Sequence, residues 1–320
     1  PDTQDLYLEQ LTEPGAQSYL TPDGPVPFAT RDETIEVKGG DAVTITVRET
    51  GHGPVLSDAI ERARETLPDG YVLAVKWTAL QPGDSSGEIA HKMMMVETFD
   101  QFRAVLSNYV TPQQNMVYAD VDGNIGYLAP GHVPIRPDTD VTHGMVPKPG
   151  WKDGFAWQDR IPFDRLPSRY NPASGMIVTA NAKVVDADYP YFLTYDWSQP
   201  FRTMRITELL QRRRDHTLAS MEAIQLDRYS TVADALLPRL LDLAASAEPG
   251  PADVRRALTD CHREMAADRP EPLLFAAWHR ALSRAIFADE LGPHFQEHFG
   301  HKTRFLMTVL AADSDASHWC

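Results

Sequence analysis

The sequence predicts an α+β fold, with a β-rich part over residues 1–202 and a helical part over 203–320. Two observations carry this. Ahead of Arg202, short apolar stretches rich in β-branched and aromatic residues are bounded by Gly, Pro and Asp. After Arg202, apolar residues recur at helical spacing, with helix-start residues in front of them. A chain of 320 residues is long enough for two structural units, and it shows no internal repeat.

Thr34–Lys38, Ala42–Arg48, Tyr71–Trp77 and Met116–Asp120 read as strands. Gly39-Gly40-Asp41 tolerates the positive φ of a turn, so residues 34–48 are expected to form a hairpin. Asp122-Gly123-Asn124 is a second turn, joining Val117–Val121 to Ile125–Leu128. A calcium loop starting at Asp120 would need Gly sixth and Glu twelfth, where Ile125 and Gly131 stand, so the EF-hand pattern fails. From Pro130 to Pro200 the chain is rich in Pro, Gly and aromatic residues and reads as extended loops, a common setting for functional side chains. Helices are expected over Met204–Arg213, from Thr217, over Thr231–Ala247, Ala252–Ala267 and Glu271–Phe287, with a break at Pro249-Gly250-Pro251.

The balance of 45 acidic against 30 basic residues, a formal charge of −15, opposes binding to nucleic acid and to anionic membrane surfaces. No apolar run reaches the roughly 20 residues of a membrane helix, since Ala233–Ala245 is interrupted by Pro238, Arg239 and Asp242. The opening Pro-Asp-Thr-Gln has neither a basic nor an apolar leader region, so a signal peptide is expected to be absent or to lie outside these residues. Spacing does not place Cys261 and Cys320 within disulfide reach. His294, His298 and His301 would share a face if helical, but Gly292, Pro293 and Gly300 shorten any helix there, and a solvated helix end is the expectation. A Ser/His/Asp triad cannot be argued, because there is no Gly-x-Ser-x-Gly elbow.

Three segments carry a resemblance. Ser174-Gly175-Met176-Ile177-Val178-Thr179-Ala180-Asn181, with Trp197 and Arg202 after it, the run Asn115 to Tyr127, and Tyr170-Asn171-Pro172 together resemble the large (β) chain of the penicillin acylase family of N-terminal-nucleophile hydrolases. The resemblance implies part of an αββα sandwich followed by a helical region. It also implies hydrolysis of linear amides through an acyl-enzyme, with N-acyl side chains of penicillins, acyl-homoserine lactones or acylated peptides as candidate substrates. Asn181 matches the family's oxyanion-binding Asn and Arg202 the arginine beside the catalytic centre, where a guanidinium orients the Asn carbonyl. By residue type alone, Asn181 also reads as a turn residue and Arg202 as a capping or pairing cation.

By the same resemblance, Asp2, the carbonyl of Gln4 and Asp5 are expected ligands of a structural calcium, Ala90 and Gln114 are expected to line the acyl pocket, and His52 in Gly51-His52-Gly53-Pro54 is structural. Expected partners are a small chain and the rest of the β chain, with the parent protein periplasmic or secreted. The family's nucleophile, the first Ser of its β chain, has no counterpart at Pro1, so these 320 residues alone are expected to be inactive. A noncatalytic acyl- or peptide-binding module on the same scaffold, gripping ligand with the aromatics of 151–197, is the alternative. A purely structural domain is a third.

Overall fold

Strand β1 (Gln4–Gln10) inverts the usual pattern, because its buried side carries Asp5, Tyr7 and Glu9 while Leu6 and Leu8 are only half-buried. The computed structural model describes residues 2–246, 252–298 and 302–311. The strands that follow β1 are β2 (Ser18–Thr21), β3 (Gly24–Pro27), β4 (Ala29–Ile35), β5 (Val43–Thr50), β6 (Gly53–Pro54), β7 (Tyr71–Trp77), β8 (Met116–Ala119), β9 (Ile125–Leu128), β10 (Pro134–Ile135), β11 (Lys148–Pro149), β12 (Asp159–Arg160) and β13 (Ser168–Tyr170). Helices α1 (Leu56–Ala59), α2 (Glu61–Glu65), α3 (Ser86–Met93) and α4 (Phe99–Leu106) are interspersed among them. The later helices are α5 (Phe201–Gln211), α6 (Leu218–Gln225), α7 (Thr231–Ser246), α8 (Ala252–Thr259), α9 (Glu271–Leu291), α10 (Phe295–His298) and α11 (Thr303–Val309). The α+β expectation therefore holds.

Contacts divide the chain into two units, one of residues 1–177 and 185–196, the other of 178–184 and 197–320. The boundary expected at 202 falls inside α5, and residues 178–184 group with the helices. Backbone and side-chain bonds explain the difference: Ser198 donates its N–H to the Asn181 carbonyl at 3.1 Å, and Arg202 reaches back to residues 180 and 181.

In the first unit, β1 is the middle of a sheet in the order β11-β1-β7, parallel to β11 with Tyr7 opposite Lys148, and antiparallel to β7 with Asp5 opposite Lys76. The hairpin expected over 34–48 is present, but β4 begins at Ala29 and ends at Ile35, leaving a longer connection that contains Gly39 at φ +78°. The second turn joins β8 to β9, where Asp120 accepts the N–H groups of Asp122 and Asn124 and Gly123 supplies φ +87°. Helices α3 and α4 close one core over β8 and β9 with Ile89, Phe99, Phe102, Leu106, Tyr118 and Leu128.

In the second unit, Thr217 caps α6 through Ser220 as the sequence suggests. The helical core is Leu236, Leu237 and Leu240 of α7 against Leu258 and Phe275 of α8 and α9. Helix α8 stops at Thr259 rather than 267, because the next backbone groups pair elsewhere: Ser230 donates to Arg263, Met265 donates to Arg228, and Arg263 has φ +61°. Cys261 is buried, whereas Cys320 and His301 lie outside the described residues.

Leu106 is fully buried and Leu218 is 88% exposed. Leu106→Ala is expected to lower stability by about 2–5 kcal/mol, the range for a buried leucine truncation, and Leu218→Ala by less than about 0.5 kcal/mol. Urea unfolding of the two variants checks this; equal losses would contradict the core assigned here.

Candidate active site

Asn181 occupies the left-handed region, at φ +65°, which an L-residue with a short amide side chain tolerates better than most. The turn brings its side chain to the first turn of α5, where Arg202 Nη2 donates to Asn181 Oδ1 at 2.9 Å and to the Ala180 carbonyl at 3.0 Å. A guanidinium has donors only, so it fixes which end of the amide faces it. The Asn181 Nδ2 group is thereby turned away from Arg202, and both residues are exposed. The arrangement presents an oriented, solvent-facing N–H donor on a constrained backbone.

The residues expected to hold calcium lie in the first unit, and a cation of the protein's own stands between them. Arg136 Nη2 donates to the Asp2 carbonyl at 3.0 Å and to Asp5 Oδ1 at 2.9 Å, while its Nε lies 3.0 and 3.1 Å from the two Asp5 oxygens. Asp5 Oδ2 also takes Lys148 Nζ at 2.5 Å and Trp157 Nε1 at 2.5 Å. Lys148 in turn pairs with Asp140 at 2.6 Å. All four charged side chains are at least 98% buried. Asp2 Oδ1 accepts the Thr194 hydroxyl at 2.8 Å, and Gln4 sits in the β1–β7 ladder opposite Trp77. Gly144, at φ +86°, passes so close that a Cβ there would fall 2.2 Å from Asp5 Oδ1. Burial pushes the Asp140 carboxyl up, but hydrogen bonds from Lys148 and Thr142 and the charges of Lys148 and Arg136 more than offset it, leaving the carboxyl below its ordinary range.

Ala90 is exposed on α3 beside buried Ile89, and Gln114 is exposed in the segment leading into β8. Neither is held by a polar partner that would fix a pocket wall. His52 stacks on Tyr7 with centroids 3.8 Å apart and pairs through Nδ1 with Glu9 at 2.7 Å, beside the Thr50 hydroxyl at 2.9 Å. Burial first, then the neighbouring Asp5 charge, holds the Tyr7 phenol above its usual range. The sequence reading missed Arg136, Lys148 and Trp157. The one local signal for them was β1 itself, whose alternation places Asp5 and Glu9 on a single face and so demands donors from elsewhere.

A sequence model described as penicillin amidase matches residues 1–320. The chain belongs to the penicillin amidase family. Among curated relatives, it is 31% identical over 288 residues to the penicillin acylase 2 proenzyme of Pseudomonas sp. (strain SE83), covering 90% of this chain and 36% of that protein. It is 29% identical to the acyl-homoserine lactone acylase QuiP of Pseudomonas aeruginosa, over 91% of this chain and 36% of that protein. Among solved structures, a thermostable penicillin G acylase from Alcaligenes faecalis superposes with a TM-score of 0.74 at 22% identity, over 93% of this chain and 53% of that one, a likeness of fold. The chain thus spans about a third of the length of these curated relatives.

In this penicillin amidase chain, the side chains around Asp2, Gln4 and Asp5 as they stand do not fit a calcium ion. The Asp5 oxygens are already filled by two cations and an indole N–H, and a divalent ion there would be repelled by Arg136 and Lys148. Asp5→Asn is expected to cost about 3–5 kcal/mol, because it leaves buried cations short of a counter-charge. Melting of the wild type is expected to be the same in EDTA and in added calcium; a calcium-dependent rise would contradict the cluster as described. Asp140, with its carboxyl held low in the folded state, contributes stability above the unfolded carboxyl range that is lost as pH falls below about 4. Asp140→Asn should flatten that acid limb in a pH series of melts.

Proposed function

We propose that residues 1–320 belong to an amidohydrolase that cleaves linear amides through an acyl-enzyme, with Asn181 Nδ2 as a donor to the oxyanion and Arg202 as the residue that orients it. The candidate substrates are N-acyl side chains such as those of penicillins, acyl-homoserine lactones or acylated peptides. The observation that carries this reading is the 2.9 Å contact between Arg202 Nη2 and Asn181 Oδ1, which turns the amide N–H outward. Family membership supports the reaction class, and the names of the relatives support the first two substrate classes.

Attack on an amide carbonyl moves negative charge onto its oxygen, and a donor already aimed at that position stabilises the transition state without reorganising. Asn181 meets this requirement in two ways: its backbone is pinned at a left-handed turn and its side-chain oxygen is pinned by Arg202. The guanidinium adds a positive charge that favours the developing anion. The nucleophile, by this reading, is an N-terminal Ser supplied by a segment of the longer protein outside these residues, and its free amine is the base. The meeting of Asn181 and Arg202 favours this reading over a purely structural domain, which would leave the two side chains apart.

Asn181→Ala in the intact, processed protein is expected to lower kcat on an N-acyl amide by about 10²–10³, the scale for one oxyanion donor. A loss of less than tenfold would remove Asn181 from the mechanism. The purified 320 residues are expected to show no turnover above a heat-killed control, and turnover there would place a nucleophile within them.

A further inference from the structure

A polar cavity of about 250 Å³ opens in the first unit and is lined by Lys76, Thr78, His132, Trp157, Asp159 and Arg160 among others. Lys76 lies opposite Asp5 across the β1–β7 ladder, but Asp5 is already filled by Arg136, Lys148 and Trp157. The Lys76 ammonium is left half-buried, 5.0 Å from the centre of the Trp157 ring, with no carboxylate at ion-pair distance among the described residues. Arg160 likewise has no acidic partner among them; its Nη1 lies 2.5 Å from a ring nitrogen of His132. Thr78 is 2% exposed and its buried hydroxyl has no hydrogen-bond partner. The one carboxylate in the lining, Asp159, accepts the backbone N–H of Arg160 at 2.8 Å.

We infer that this cavity binds a small monocarboxylate, its charge held between Lys76 and Arg160. Two cations against one carboxylate leave one net positive charge in the lining, which a monoanion neutralises and a dianion exceeds. Burial and the Arg160 charge push the His132 imidazole down despite Asp84, so it adds no charge at neutral pH and accepts from Arg160. A recess with a net positive lining is unexpected in a chain with a formal charge of −15, where carboxylates are plentiful. The carboxylate would displace no existing ion pair, and the unpartnered Thr78 hydroxyl adds a polar floor. The inference does not rest on the amidohydrolase reading and involves neither Asn181 nor Arg202.

Calorimetric titration of the full-length protein with benzoate and with acetate tests it. The expected result is one site with a Kd on the order of 1 mM. Lys76→Met and Arg160→Gln are each expected to weaken it about tenfold, and Asn181→Ala to leave it unchanged. Asp159→Asn is expected to tighten it and to admit phosphate, which the wild type rejects. Arg160 is exposed, so R160Q remains a fair test if K76M melts early. Binding that is lost in N181A but kept in K76M and R160Q would assign the carboxylate to the Asn181 site and overturn the inference. So would the absence of any benzoate binding by a wild type that folds.

Discussion

Asp5 is buried away from solvent, so the chain must bring positive groups to its charge, and much of the first unit is arranged around that requirement. The donors come from distant points: Arg136 follows β10, Lys148 opens β11, and Trp157 precedes β12. These are parts of the Pro- and Gly-rich region that has little regular structure, and the ion cluster ties it to β1. Such a cluster is a weak source of net stability compared with apolar packing, because desolvation offsets most of the attraction. Its effect is on arrangement, since any register of β1 or β11 that moved Lys148 away would strand a buried charge. Glu9, on the same face, is served by the Thr50 hydroxyl and the His52 ring rather than by Arg or Lys. The strand thus sorts its two carboxylates into different surroundings.

The elements read most directly from the sequence are those whose cause is local. Tyr71–Trp77 is a strand over the predicted residues because a run of half-buried and buried apolar residues specifies it, and Thr217 starts α6 because its hydroxyl and Ser220 satisfy each other's backbone N–H. What was not legible depended on partners far along the chain. Helix α8 was read as reaching 267, but residues 263–265 bond to 228–230 instead, a choice visible only after the fold brings them together. Strand β1 was read for its carboxylates rather than as a strand, since its buried face is polar and the apolar alternation on the other face is only two residues long.

The candidate site divides along the same line. Asn181 and Arg202 were found because a contiguous motif and a short spacing carry them, and the structure places them 2.9 Å apart. Asp2, Gln4 and Asp5 were assigned to a metal by the same kind of local match, yet a ligand set is judged by everything that surrounds it. Arg136, 131 positions away from Asp5, changes the electrostatics of that site from one that attracts a cation to one that already contains two. Local pattern identifies which side chains are available for chemistry, and long-range packing decides their charge environment.

The excursion of residues 178–184 into the helical unit means that the backbone passes between the two units three times, after Ile177, after Val184 and after Asp196. A protease nick at any one junction leaves them covalently joined, and a gene fusion at a single breakpoint cannot transfer one without the other. Asn181 lies in the 178–184 segment, so a swap of residues 197–320 alone would separate it from Arg202, its hydrogen-bond partner.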